Sequence, residues 1–267
     1  MLNRSRRNRV RCIATSLVLG CLLPACGYAP KPTGPIPVKT LPAPQPDADR
    51  PLVIVLPGRG DDLEDLQQAG IAAAVQQAWP EADVLLAGAT LGYYQYGNIA
   101  VLLHDQVVVP ARQHGYQKIW LAGASMGGMG ALLYERTYPH DVTGLVLMAP
   151  YMGDPAVTKA VADAGGPAVW DPGPLPAQVG PDNYQRELWR VVKSWSGSST
   201  EGSRIWLVCG DEDRFIEAAK LMAPLLPAGH FIEEHGGHEW PVWDAGAGKV
   251  FTHIGAKDTA NRRHRLN

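Results

Sequence analysis

An apolar run, a turn with a glycine two residues to either side of a serine, and a helical pattern follow one another without a break between residues 119 and 138. This succession limits what the chain can fold into more than any other feature. Residues 119–122 are continuously apolar, Gly123-Ala124-Ser125-Met126-Gly127 has the form G-x-S-x-G, and residues 128–138 carry a helical pattern stopped by Pro139. In a strand–turn–helix setting that pentapeptide is a nucleophile elbow. Its serine occupies a strained turn, and side chains at the flanking glycine positions would collide with neighbouring backbone. The turn lifts the hydroxyl above the sheet, where the helix N-terminus offers partial positive charge to an oxyanion.

The rest of the chain alternates in the same way. Residues 52–56 form an apolar run ending in Pro57-Gly58, as expected of a strand buried on both faces of a parallel sheet. Asp61-Asp62 opens a helical pattern that places Leu63, Leu66, Gly70, Ala73 and Ala74 near one face and stops at Trp79-Pro80. Further strands are expected at 84–87, 145–148, 205–209 and 231–234. Further helices are expected at 98–114, with Pro110 kinking or breaking it, at 216–226 and after Trp240. The fold class this predicts is α/β, a mostly parallel sheet with helices on both faces.

The N-terminus reads as an address label. Arg4, Arg6, Arg7, Arg9 and Arg11 precede an apolar stretch, residues 13–25, too short to span a bilayer comfortably, which is a signal-peptide pattern. It ends Leu23-Pro24-Ala25-Cys26-Gly27, similar to a bacterial lipobox, so Cys26 would be the lipidated first mature residue; Cys21 is a weaker alternative, and a plain cleaved signal with an incidental cysteine is the bland one. Arg6-Arg7 has only a faint likeness to a twin-arginine signal. Removing five arginines from a formal net charge of −2 leaves −7, which gives no footprint for nucleic acid. Cys12 and Cys21 would leave with the signal, so Cys209 has no disulfide partner and reads as a buried strand residue. Residues 28–51, crowded with proline, are expected to form an extended tether at positions 26–51, with the folded domain running from 52 to 267.

A serine needs a base, and the base needs an orienting group; in the fold to which the elbow belongs they follow in the order Ser, Asp or Glu, His. Gly210-Asp211-Glu212-Asp213 directly follows a strand, and Asp213 is the chosen acid, with Glu212 and Asp211 in reserve. His238, in Gly236-Gly237-His238-Glu239-Trp240, is the chosen base, since the glycine pair lets the ring reach back; His235, at a strand end, is the competitor with a structural reading. The oxyanion hole is expected from the backbone N–H groups of Met126 and of Arg59 in Pro57-Gly58-Arg59-Gly60. The Arg59 side chain can instead pair with Asp61, Asp62 or Glu64. That turn lacks the P-loop lysine and the G-x-G-x-x-G pattern, so a phosphate site is the weaker reading.

Together, these four glycine-rich pieces resemble the α/β-hydrolase superfamily over residues 52 to about 254. The Gly-Ala-Ser-Met-Gly-Gly and Gly-Gly-His-x-Trp pieces look most like esterase D-type and feruloyl-esterase-like carboxylesterases and like small phospholipase/carboxylesterase enzymes. One departure is Pro57 where many relatives have histidine, and it matters little because the backbone supplies the donor. The resemblance implies hydrolysis of a small-molecule ester through an acyl-enzyme, with no metal or organic cofactor. Two segments are expected to shape the pocket: a loop at 91–98 offering Tyr93, Tyr94 and Tyr96, together with Trp240, and an insertion at 151–203 read as a small cap, with Trp170, Trp189 and Trp195 either lining the site or packing locally. His104, His114, His140, His230 and His253 show no ligand spacing. The expectation is therefore a lipid-anchored serine carboxylesterase of the bacterial cell envelope acting on short-chain or aromatic esters. A thioesterase, lipase or peptidase on the same scaffold is the alternative, and a catalytically inactive binding lipoprotein is the reading from a different class. The oligomeric state is open.

Overall fold

The computed structural model describes residues 29–46, 49–197 and 199–266; the signal sequence, Cys21 and Cys26 lie outside them. Among the described residues seven strands form one sheet: β1 (Val38–Leu41), β2 (Leu52–Leu56), β3 (Asp83–Ala87), β4 (Ile119–Ala124), β5 (Gly144–Met148), β6 (Ile205–Gly210) and β7 (Phe231–Glu234), in the spatial order β1-β3-β2-β4-β5-β6-β7. Only β1 runs antiparallel, against β3; every other pair is parallel. β2, β4, β5 and β6 are buried along their whole length, which is why each reads as an unbroken apolar run instead of an alternating one. This is the α/β architecture the sequence implies.

The helices are α1 (Leu63–Gln68), α2 (Ile71–Ala78), α3 (Leu91–Tyr96), α4 (Ile99–Leu103), α5 (Val109–Gln113), α6 (Met126–Thr137), α7 (Pro155–Asp163), α8 (Tyr184–Ser194), α9 (Ser199–Gly202), α10 (Ile216–Met222) and α11 (Trp240–Leu266). α2 packs along α11 and α6 is flanked by α4 and α8, so helices cover the sheet in two layers. The break between α1 and α2 falls at Gly70, whose φ of 85° suits a residue without a side chain. Asp62 starts α1 with a capping box, accepting from the N–H groups of Glu64 and Asp65 while Asp65 accepts from its own. The helix expected over 98–114 is present as α4 and α5 joined by a π-helical turn, His104–Val108, with Pro110 in the first turn of α5 where a missing N–H costs least.

Three expectations need correction. The proline-rich segment is not a free tether. Its middle is β1, Ile36 and Ala43 are buried, and the buried Asp83 carboxylate accepts from Ala43 N at 2.7 Å, Arg50 Nε at 2.5 Å and the Tyr116 hydroxyl. The folded unit therefore includes this segment, described from Ala29 onward, instead of starting at 52. Residues 91–96 form α3 instead of a loop. The presumed cap at 151–203 is largely a structural layer: α8 buries Leu188, Trp189, Val191 and Val192, and Arg136 of α6 donates to buried Glu187 at 2.6 Å. Trp170, Trp189 and Trp195 are all buried in the core, as their packing alternative has it.

Candidate active site

The site grows from the ends of β4, β6 and β7. Ser125 stands between β4 and α6 with φ 52° and ψ −110°, a conformation that costs a side-chain-bearing residue about 1–3 kcal/mol. The glycines let the surrounding chain close over it. A methyl group on Gly127 would lie 2.5 Å from the Leu56 carbonyl oxygen, one on Gly128 2.8 Å from Pro150 Cβ, and one on Gly123 would overlap the Gly127 carbonyl. Ser125 N donates to Met148 O at 2.8 Å, and Tyr151 N donates to Ser125 O at 3.0 Å. These contacts fix the strained turn between β2 and β5, with the serine only 5% exposed.

The structure brings the chosen acid and base to this serine. His238 Nε2 is 2.9 Å from Ser125 Oγ, and His238 Nδ1 is 2.8 Å and 3.0 Å from the two oxygens of Asp213. The Asp213 side chain is fully enclosed and one of its oxygens also accepts from Phe215 N at 2.8 Å. A carboxylate facing Nδ1 holds the proton there and leaves Nε2 as the acceptor for the serine hydroxyl. Phe215 and Trp243 meet the imidazole edge-on, with centroids 5.0 and 4.8 Å away, and so limit its rotation. Neither was singled out by sequence pattern, because only the folded turn brings residue 215 and the first turn of α11 to the same ring.

The reserves are engaged elsewhere. Asp211 accepts from Gly236 N at 2.9 Å and pairs with His235 at 3.2 Å. The Gly236 N–H, and then the His235 ring, hold the Asp211 carboxyl below the usual range, while the same pairing raises His235. His235 is 84% exposed, and its ring is engaged by Asp211. Glu212 contributes its backbone N–H to Gly236 O at 3.0 Å. Together these bonds zip the acid turn to the histidine turn.

The Gly58–Asp61 turn lies beside the serine: a methyl group on Gly58 would sit 3.9 Å from Ser125 Cβ. Arg59 is the next residue of that turn, and Met126 is the first residue of α6, where N–H groups lack intrahelical acceptors. Asp61 Oδ2 accepts from Trp240 Nε1 at 3.1 Å, and Asp62 caps α1, so these two acids have partners other than Arg59. The bond from Trp240 joins the turn beside Ser125 to the start of α11, next to His238.

The tyrosines are a correction. Tyr93 is buried, with its hydroxyl donating to Pro35 O at 2.8 Å. The Tyr94 hydroxyl is enclosed against Gly130 of α6. Tyr96 is 46% exposed on the outer surface. Because residues 91–96 coil into α3, the ring of Tyr93 turns toward the N-terminal segment and that of Tyr94 toward α6. Of the four residues named for the pocket, Trp240 is the one with a contact to the turn beside the serine.

Two features stand apart. Burial, with Asp213 and Glu233 nearby, pushes the Cys209 thiol up to about 12, in keeping with a structural role. Glu135, His140 and Glu201 approach one another closely enough to suggest a cation site, but Arg204 already fills that place, 2.6 Å from Glu135.

The fold is that of the α/β-hydrolases, and the constellation it carries at the strand ends is the Ser–His–Asp geometry of a serine hydrolase. The serine aminopeptidase (S33) family model matches residues 99–168, which include Ser125 and end before Asp213 and His238. No curated protein sequence matches the chain. Among solved structures, Est1E from Butyrivibrio proteoclasticus is 16% identical, with 84% of this chain and 96% of that one covered and a TM-score of 0.53. A monoacylglycerol lipase from Paleococcus ferrophilus is 15% identical, with 82% and 98% covered and a TM-score of 0.53. An S-formylglutathione hydrolase from Staphylococcus aureus is 14% identical, with 78% and 83% covered and a TM-score of 0.51. At these identities the likeness is one of fold.

Proposed function

We propose that the chain is a serine carboxylesterase that cleaves short-chain or aromatic esters through an acyl-enzyme. The observation that carries this reading is the unbroken chain of hydrogen bonds from Ser125 Oγ through His238 to buried Asp213. Ser125 Oγ attacks the ester carbonyl as His238 Nε2 takes its proton, and Asp213 stabilises the imidazolium that results. The backbone N–H groups of Met126 and Arg59 receive the charge on the carbonyl oxygen. The imidazolium passes its proton to the departing alcohol. Water then enters and gives a proton to the same nitrogen as its oxygen attacks the acyl carbonyl; the bond to Ser125 Oγ breaks, the imidazolium returns the proton to Oγ, and the acid leaves.

The side chains around the base support the substrate class. Phe215, Trp243 and Trp240 are aromatic, and Tyr151 meets Phe215 edge-on at 5.8 Å. Rings of this kind offer an aromatic acyl group faces and edges to pack against. Ferulic acid, bound to Est1E in one of the solved structures, is an acid of that shape, while the monoacylglycerol lipase marks the same fold serving another ester. The deciding test is kcat/KM for p-nitrophenyl esters from acetate to palmitate. A value falling toward long chains is expected, since a long acyl tunnel would otherwise add about 0.8 kcal/mol for each buried methylene. A steady rise would overturn the substrate class.

A second reading, peptidase activity, is favoured by the S33 family match; p-nitroanilide substrates included in the same series distinguish it. The cellular reading is that Cys26 carries lipid and fixes the protein to a membrane of the cell envelope. The lipobox-like run before it supports this, and no helix among the described residues is long and apolar enough to cross a membrane.

A further inference from the structure

Ala29, the first described residue, donates its N–H to Gln95 Oε1 at 2.8 Å. Gln95 belongs to α3, which follows the C-terminal end of β3 and so stands at the same edge of the sheet as Ser125. The chain after Ala29 is strapped across this helix. A methyl group on Gly92 would lie 2.5 Å from Pro30 O and 2.9 Å from the Pro32 ring, and Tyr93 donates to Pro35 O at 2.8 Å. The Tyr94 hydroxyl abuts Gly130, five residues beyond the serine. Tyr96, in the same helix, is among the few large apolar side chains left exposed in the described residues.

Cys26 precedes Ala29 by three residues, and three extended residues reach about 10 Å at most. Had residues 26–51 formed a free proline-rich spacer at about 3.1 Å per residue, the domain could have stood roughly 80 Å from its anchor. Folding of residues 29–45 onto the domain removes nearly all of that freedom and fixes where the anchor leaves.

We infer that lipid on Cys26 holds the catalytic edge against the bilayer, with α3 and Tyr96 at the contact, so that the site takes esters displayed at the membrane surface. The inference rests on the lipidation of Cys26 proposed above. The occupant of this face is a lipid surface because the chain that leads back to Cys26 meets the domain at this helix, through Ala29 and Gln95. A tyrosine at that place suits the headgroup layer, where an aromatic body and a polar tip are both accommodated. Lys257, in the second half of α11, shares a cavity of about 320 Å³ with Lys118 and Thr143, which precede β4 and β5. It therefore marks the opposite edge and would face away from the bilayer.

The test uses the full-length lipidated protein in phosphatidylcholine vesicles that contain a nitroxide-headgroup lipid. A bimane label is placed at Tyr96→Cys or at Lys257→Cys, and hydrolysis of p-nitrophenyl acetate reports that each variant folds. Emission at position 96 is expected to fall at least threefold and emission at 257 to stay unchanged. Inserting about 20 Gly/Ser residues between Gly27 and Tyr28, which gives a flexible reach of about 25 Å, should abolish the difference. Equal quenching at both positions, or quenching at 96 that survives the insertion, would overturn the inference. Mass spectrometry of the mature N-terminus on the same preparation separates the causes. A lipid-free N-terminus sinks the anchor and the orientation together, whereas a lipidated protein with equal quenching sinks only the orientation.

Discussion

Gly210 and Gly236 meet so closely that a methyl group on Gly210 would overlap the Gly236 carbonyl oxygen. That contact is where the turn carrying Asp213 touches the turn carrying His238. Gly236 itself has φ 129°, a region that side-chain-bearing residues avoid. The acid and base are thus positioned by backbone packed against backbone, and Asp211 adds a carboxylate bond to Gly236 N.

Gly210→Ala should therefore separate the two turns. A displacement of about 1 Å in such a site costs on the order of a hundredfold in rate, so kcat/KM for p-nitrophenyl acetate is expected to fall by at least that factor. Gly237→Ala is the control, because nothing lies within 4 Å of its added methyl. Equal activity in the two variants would show that the contact does not position the histidine.

Asp213→Asn should lower kcat roughly ten-thousandfold through loss of the correct imidazole tautomer. Glu212→Gln should stay within a few-fold of the parent, since Glu212 contributes its backbone to the zipped turns. A dead Glu212→Gln beside an active Asp213→Asn would reverse the assignment of the acid.

Ile36→Ala tests whether the proline-rich segment belongs to the folded unit. Ile36 is 4% exposed and its N–H donates to Gln106 Oε1 at 2.9 Å. Removing a buried side chain of this size costs about 2–5 kcal/mol, which urea unfolding would register as a lower midpoint at unchanged slope. Exposed Lys39→Ala in the neighbouring strand should change stability by less than about 0.5 kcal/mol. A free tether would leave both variants alike.

Asp244, in the first turns of α11, has a carboxyl pushed up to about 7 by burial, with an oxygen that finds no hydrogen-bond partner among the described residues. Its folded value exceeds the ordinary 3.8, so the folded state keeps the proton that the unfolded chain releases. Stability from this group is full below about pH 4 and is lost as the pH rises to about 7. Asp244→Asn should raise Tm relative to the parent at pH 8 and leave it unchanged at pH 4. A larger gain at pH 4 than at pH 8 would contradict the assignment.

The residues that sequence made legible are those whose chemistry is local. The apolar run of β4, the glycines at 123, 127 and 128 and the strand ends at 210 and 234 announce where Ser125, Asp213 and His238 must lie, because each sits on a turn with its own steric demand. What sequence concealed depends on distant partners. β1 is four residues long between prolines, a pattern that a tether shares, and it is recognisable as a strand only beside β3. α3 is short and contains Gly92, so its three tyrosines read as a loop, and they turn toward Pro35, Gly130 and solvent instead of a pocket. Phe215 and Trp243 become neighbours of His238 only when β6 and β7 are side by side.

Reaction of the purified protein with a fluorophosphonate probe tests the central claim most directly, because stable phosphonylation requires a serine whose proton has a base to receive it. The parent protein should be labelled stoichiometrically, with the adduct mapped to Ser125, and hydrolyse p-nitrophenyl acetate. Ser125→Ala should take no label and lose about a millionfold in kcat with unfolding behaviour retained, and His238→Ala should come close to it. A folded parent that takes no label, or an adduct on another serine with Ser125→Ala still active, would contradict the account.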